Sequence, residues 1–183
     1  MTRIIGISGS LRKASFNTSL LRAAAGLMPE GAELSIVTLH GIPLYDGDVE
    51  SSSGIPQPAA DLKQLVANSD GVILATPEYN NSIPGVFKNA IDWMSRPPAD
   101  IPKVFGGKPI AIIGASAGAF GTILSQNAWL PVLKTLGTRP WFGGRLLVPK
   151  AQNVFDPTGA ITDESVKASL QKLLSGFVEF VRS

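Results

Sequence analysis

The sequence predicts an α/β domain built as a doubly wound, five-stranded parallel sheet covered by helices on both faces, a three-layer α/β/α arrangement. Three observations predict it. Apolar runs of strand length recur five times, turn residues follow each run, and the segments between them carry apolar residues at helical spacing. A parallel sheet buried on both faces takes this form because each crossover helix must lay one apolar stripe on it.

The strand-like runs are residues 3–8, 33–39, 71–76, 109–115 and 139–148. The helical stripes are Leu20, Ala24 and Leu27; Ala59, Leu62 and Val66; Phe87, Ala90, Ile91 and Met94; and Val166, Leu170, Leu173, Leu174, Phe177 and Val181. Boundary residues agree: Asn17 is placed to cap the first helix, Pro84 suits an opening turn, and Thr162-Asp163-Glu164 offers a hydroxyl and acids to the last. Trp129, Val132, Leu133 and Leu136 also have helical spacing, but Pro131 lies inside them, which predicts a kink or a late restart. Residues 41–58 and 96–107, rich in Pro, Gly and Ser, read as loops within the domain, and no internal repeat is present. Five strands of this kind favour the order 2-1-3-4-5, with ligands beyond the carboxyl ends of the strands near the switch in order. The loops after the first, third and fourth strands are therefore the ones to inspect.

Composition narrows the chemistry. The 183 residues are 44% hydrophobic, enough for one core, so residues 1–183 are expected to fold as one domain. Sixteen basic against fourteen acidic residues give a formal charge of +2, too small and scattered to point to nucleic acid or an anionic membrane. The absence of cysteine excludes disulfides, thiolate metal sites and thiol redox chemistry, and a single histidine argues against a transition-metal site. Redox chemistry would have to come from a cofactor. The chain starts in a strand-like run and has no long apolar window, which makes the cytoplasm the expected location.

The first loop, Gly9-Ser10-Leu11-Arg12-Lys13-Ala14-Ser15-Phe16-Asn17-Thr18, leads into a helix. Free amides at a helix start, hydroxyls and a permanent charge suit a phosphate. A capped helix with a solvated Arg-Lys pair fits the same residues, and they leave both readings open. Neither a Gly-x-x-x-x-Gly-Lys-Ser/Thr loop nor a Gly-x-Gly-x-x-Gly turn occurs, so a mononucleotide phosphate suits the loop better than a triphosphate or a dinucleotide. The third-strand loop, Thr76-Pro77-Glu78-Tyr79-Asn80-Asn81-Ser82-Ile83-Pro84-Gly85, offers amides, hydroxyls and an aromatic to a flat heterocycle, or is simply a rigid connection. After the fourth strand, Gly114-Ala115-Ser116-Ala117-Gly118-Ala119-Phe120-Gly121 lets another molecule approach the backbone.

That last loop also spells Gly-x-Ser-x-Gly between a strand and a helix, the nucleophile elbow of α/β-hydrolases. The hydrolase reading lacks its base. The triad runs Ser, acid, His, whereas His40 precedes Ser116. Ser116 then reads as a hydrogen-bond donor to a ligand, and His40 as a partly exposed residue.

Gly-Ser-x-Arg-x-x-Ser-x-Asn, Thr-Pro-Glu-Tyr-Asn and Ser-x-Gly, in that order, resemble the NADPH-dependent FMN reductase family, especially its quinone, azo-dye and chromate reductase members. Ile42-Pro43-Leu44-Tyr45-Asp46 and the stretch from Pro84 to Trp93 extend the resemblance over almost the whole chain. It implies a flavodoxin-like fold. It implies that Ser10, Arg12, Ser15 and Asn17, with the Phe16 backbone, hold the FMN phosphate; that Pro77, Glu78, Tyr79 and Asn80 run along the isoalloxazine and ribityl chain; and that Ser116 and Gly118 lie near the other flavin edge. Hydride would pass from NADPH or NADH to flavin N5 and on to a quinone, a free flavin, an azo compound or a metal oxyanion such as chromate, at one site used in turn with ping-pong kinetics.

No side chain is required as catalytic acid or base, and Glu78 reads as a solvent-facing carboxylate that contributes mainly its backbone. Arg96 reads either as an attractor of anionic substrate or as a solvated helix-end residue. The resemblance also implies a homodimer or homotetramer, for which Trp93, Met94 and Phe120 are interface candidates. Some relatives carry arginine and tyrosine where this chain has Ile123-Leu124-Ser125-Gln126-Asn127, so contacts resting on those types are missing. The alternative is a flavodoxin-type electron carrier that never meets a nicotinamide. Such carriers tend to be strongly acidic, whereas this chain carries +2.

Overall fold

A computed structural model describes residues 1–183. Strands β1 (Thr2–Ser8), β2 (Ala32–Thr38), β3 (Gly71–Ala75) and β4 (Pro109–Ala115) pair in parallel in the order β2-β1-β3-β4, and β5 (Arg139–Pro140) and β6 (Leu146–Val148) both pair with the outer side of β4. The order 2-1-3-4-5 is thus present, with the fifth strand divided. Along β4 the register moves from Ile110 opposite Pro140 to Ile113 opposite Leu146, so residues 141–145 bulge out of the ladder. This corrects the continuous run read over 139–148. The break is fastened at both ends: Trp141 packs 5.7 Å from Phe177, and Arg145 donates to Gln126 Oε1, Asn127 Oδ1 and the Ile123 carbonyl.

Alternation along the strands divides the core. Ile4, Ile73, Ala111 and Ile113 face helices α1 (Phe16–Gly26) and α7 (Glu164–Arg182), where Leu20, Leu21, Leu170, Leu174 and Phe177 are buried. Ile5, Ile7, Val72, Leu74 and Ile110 face α3 (Gln57–Ala67), α4 (Gly85–Met94) and α6 (Ile123–Thr135), which bury Leu62, Phe87, Met94, Trp129 and Leu133. Within the supposed loops, residues 41–58 contain the short exposed helix α2 (Gly47–Ser53), and residues 96–107 contain α5 (Ile101–Val104).

Three boundary expectations are corrected. Ser15, not Asn17, caps α1, its hydroxyl accepting from Thr18 N–H at 3.2 Å, and Asp163, not Thr162, caps α7. Helix α6 runs unbroken through Pro131, with no restart. Pro131 lies on the exposed side, where water can satisfy the Asn127 carbonyl that the proline releases.

Two close approaches fix the loops at the carboxyl edge. A Cβ on Gly9 would stand 2.3 Å from Phe87 and 2.9 Å from Pro77, and one on Gly114 would stand 1.9 Å from Thr122 Oγ1 and 2.4 Å from the Thr76 carbonyl. Gly114→Ala is expected to cost about 1–3 kcal/mol in urea unfolding through overpacking. Gly26→Ala, at a helical position with open space around it, should be neutral or gain about 0.4–1 kcal/mol. Equal midpoints for the two variants would contradict this account of Gly114.

Candidate functional site

The loops after β1, β3 and β4 enclose a cleft of about 470 Å³ at the switch in strand order. Of the residues singled out from sequence, Ser10, Arg12, Ser15, Phe16, Asn17, Pro77, Glu78, Tyr79, Ser116 and Gly118 all line it. Asn80 does not. Tyr79 and Ser82 exchange backbone hydrogen bonds across a tight turn whose central residues, Asn80 and Asn81, are both left-handed, with φ of 50° and 61°. This is a primed hairpin turn, which favours asparagine, and it is Asn81 that lines the cleft. Ala115, Ala117, Ala119 and Gly121, which were not singled out although their loop was, complete the lining together with Phe120, singled out only as an interface candidate.

The first loop is open to an anion. The amides of Phe16 and Asn17, at the first turn of α1, have no acceptor in the protein, and that turn contains no acidic residue. Ser10 Oγ accepts from Arg12 N–H at 3.3 Å, while the Arg12 guanidinium has no carboxylate partner. The Asn17 side chain is not free for a ligand. Its Nδ2 donates to the Ala115 carbonyl at 2.9 Å, and its Oδ1 accepts from Ala115 N–H at 3.0 Å, both bonds buried. Ser116 N–H points to Val148 on the β6 side, so the groups of Ala115 face the opposite way, where β3 has already turned off, and Asn17 takes the place of a neighbouring strand.

The third loop is locked to α6. Glu78, expected to face solvent, instead accepts from Leu124 N–H at 2.8 Å and Ser125 N–H at 2.9 Å, filling the start of a helix whose own cap residue, Thr122, makes no side-chain capping bond to the helix amides. Behind it, Thr76 Oγ1 meets Ser125 Oγ at 2.8 Å and receives Trp129 Nε1 at 3.2 Å, all buried. The Ser116 hydroxyl donates to the Gly121 carbonyl at 2.5 Å and closes its own loop. His40 is bound to Thr38 Oγ1 and the Leu11 carbonyl, so it braces the first loop and is not a base for Ser116.

Other candidates are committed elsewhere. Arg96 donates to Glu50 Oε2 at 3.0 Å beside the Tyr45 ring; this bond, with that of the Tyr45 hydroxyl, holds the Glu50 carboxyl below its usual range. Trp93 and Met94 are core: the Trp93 indole N–H donates to the Pro43 carbonyl, and its ring lies edge-on to Tyr45. Tyr79 and Phe120 are exposed on the cleft rim, Phe120 by 79%. No three His, Cys, Asp or Glu residues gather to hold a metal ion, and no helix is long and apolar enough to cross a membrane.

The family model described as NADPH-dependent FMN reductase matches residues 2–153, which include all three loops. The chain belongs to the NADPH-dependent FMN reductase family. It is 41% identical over 180 residues to an NAD(P)H-dependent FMN reductase of Pseudomonas aeruginosa, covering 98% of this chain and 95% of that one. It is 37% identical to a quinone reductase of Escherichia coli, again over 98% and 95% of the two chains. Among solved structures, the flavoenzyme NAD(P)H:(acceptor) oxidoreductase FerB of Paracoccus denitrificans superposes with a TM-score of 0.88 at 31% identity, covering 100% of this chain and 98% of that one. The fold is flavodoxin-like, and membership makes the chain an FMN-dependent NAD(P)H oxidoreductase, not an electron carrier.

The cleft passes the test this membership sets. A flavin mononucleotide needs donors for a dianionic phosphate next to room for a flat ring; the first loop holds two amides without acceptors beside Arg12, and the loops opposite are built of small residues, Pro77 and Tyr79. Asn17→Ala would leave both backbone groups of Ala115 buried and unpaired. We expect a loss of about 1–3 kcal/mol in stability, as well as weaker FMN binding. Unchanged stability would remove Asn17 from its strand-replacing role.

Proposed function

We propose that the protein is an NAD(P)H:quinone oxidoreductase that holds FMN in the cleft between its first, third and fourth loops. The observation that carries this reading is the acceptor-free pair of amides at Phe16 and Asn17 beside Arg12, set in a cleft whose remaining walls are short side chains and backbone. FMN, when bound, supplies acceptance of a hydride at N5 and its return as two electrons to an oxidant.

The residues bind and orient. The Phe16 and Asn17 amides, the hydroxyls of Ser10 and Ser15 and the Arg12 guanidinium hold the phosphate. Ser15 does so while also capping α1. Pro77, the Glu78 backbone, Tyr79 and the Asn80-Asn81 turn flank the ribityl chain and ring. The Glu78 carboxylate, bound through Oε2 to two α6 amides, keeps that loop in place. Ser116 and Gly118 offer backbone at the other edge, the Ser116 hydroxyl being engaged with Gly121.

Donor and oxidant would use one open face in turn, which is the basis for ping-pong kinetics. Quinones are the substrate class that the relatives' names favour, and free flavins, azo compounds and chromate-type oxyanions are further oxidants an open face would admit. A homodimer is supported by the exposed apolar side chains Phe120, Leu124, Leu130 and Phe142 on α6 and the segments beside it. A monomer mass in sedimentation equilibrium would remove that part.

The deciding experiment mixes FMN-loaded protein anaerobically with NADPH and then with a simple quinone in a stopped-flow spectrophotometer. Rapid bleaching of the flavin absorbance and its recovery on quinone addition are expected; persistence of the oxidised spectrum after NADPH would refute the reductase reading. Arg12→Ala should weaken FMN binding about tenfold or more, because a charge-assisted phosphate contact is lost, and Lys13→Ala by much less. Equal, small losses would remove the phosphate from the first loop.

A further inference from the structure

Beside the cleft lies a second space, a groove of about 580 Å³ between the first loop, α1 and the segment that precedes α7. Arg12 and Phe16 line both spaces, so the two meet at the opening turn of α1, where the acceptor-free amides lie. The groove is cationic. Arg12, Lys13 and Arg22 line it, and none has a carboxylate partner anywhere in the molecule. Its one acid, Asp156, is folded into its own turn, accepting from the Thr158 hydroxyl at 2.6 Å and from the amides of Thr158 and Ala160 at 2.8 and 3.0 Å. Those bonds hold its carboxyl below the usual range and keep it turned into its own turn, so it pairs with none of the three cations and offsets only one of their charges. Phe16 stacks on Phe155, with centroids 5.7 Å apart, giving the border between the spaces a rigid aromatic base.

A flavin mononucleotide accounts for only part of this. Its phosphate would occupy Arg12 and the two amides, leaving Lys13 and Arg22 without an anion. We propose that the groove receives the adenylate half of a flavin dinucleotide, so that the protein binds FAD as well as FMN. The proposal rests on the placement of the flavin phosphate in the first loop. A phosphate held at the Phe16 and Asn17 amides sits where the two spaces join, and when it is esterified to AMP the chain of atoms continues into the groove. Arg12 and Lys13 then face the second phosphate. Arg22, about 9 Å further along α1 by helical rise, is within reach of the adenine, on whose face a guanidinium stacks. Gln152 and Thr158 supply hydrogen-bonding side chains to the same space.

The test offers apo-protein FMN and chromatographically purified FAD separately, follows flavin fluorescence on titration, and identifies the bound flavin by native mass spectrometry. Intact FAD should be found on the protein, with affinity within about tenfold of FMN because both share the phosphate cradle. Arg22→Ala should weaken FAD about fivefold at low salt and leave FMN within about twofold, since the residue touches only the dinucleotide. Recovery of FMN alone, or no complex with FAD while FMN binds, overturns the proposal and leaves the FMN site standing. An Arg22→Ala change that moves both flavins equally, or neither, overturns the role of the groove. If neither flavin binds the wild type, the FMN placement fails with it.

Discussion

The paired hydrogen bonds between the Asn17 carboxamide and the backbone of Ala115 are the constraint on which the site depends. Strand β4 outruns β3 at its carboxyl end, and its last residue would expose a donor and an acceptor inside the protein. Asn17 satisfies both with one side chain. Because that side chain sits on the opening turn of α1, the same two bonds set the distance between the first loop and the fourth. A second brace, the buried Ser8 and Thr18 hydroxyl pair at 2.8 Å, joins the end of β1 to the same turn. The walls of the cleft are thus referred to the sheet, not to each other, and the open amides of Phe16 and Asn17 are held in place without a ligand.

Two helices begin at this edge of the sheet, and the chain treats them oppositely. Both α1 and α6 present a positive dipole end and unpaired amides toward the cleft. At α6 the Glu78 carboxylate fills two of them, while at α1 no acid approaches and Arg12 adds positive charge. An anionic ligand therefore has one favourable seat, not two. Glu78 serves a second purpose, since it ties the Pro77–Tyr79 segment to α6 just where Gly114 lets Thr122 and the Thr76 carbonyl come within reach of β4. Thr76, Ser125 and Trp129 continue this contact inward as a closed polar chain, which gives the third and fourth loops a rigid back.

Most of the fold was legible because it rests on periodicity. The strand runs and stripes such as Leu20, Ala24 and Phe87, Ala90, Ile91 report burial directly, and burial is what builds the sheet and its covering. What escaped were features set by contacts distant in sequence. The bulge in the fifth strand depends on Trp141 meeting Phe177 and on Arg145 reaching α6, neither of which leaves a trace in local spacing. The capping role went to Ser15 and not Asn17 because Asn17 had a partner 98 residues away. Within the site, the three loops were visible but the direction of individual side chains was not. Asn80 turned outward because a two-asparagine turn needs both residues left-handed, and the Asn80-Asn81 pair was the local sign of it.

Ser116 shows how far a motif carries an argument. Gly114-Ala115-Ser116-Ala117-Gly118 matches the nucleophile elbow in residue type and in its place between a strand and a helix. The elbow's chemistry, however, resides in what the serine hydroxyl touches, and here the hydroxyl donates to the Gly121 carbonyl while the only histidine is bound to Thr38 and Leu11. Gly114 serves close approach instead, admitting Thr122, and the Gly118 carbonyl accepts Lys150 N–H at 2.9 Å, tying the segment after β6 to the loop. The same five residues thus describe a shape that brings backbone near a ligand, and a hydrolase and a flavin site differ in whether a base stands behind it. In this protein none does, so the redox chemistry rests with the cofactor and the chain's work is to hold it.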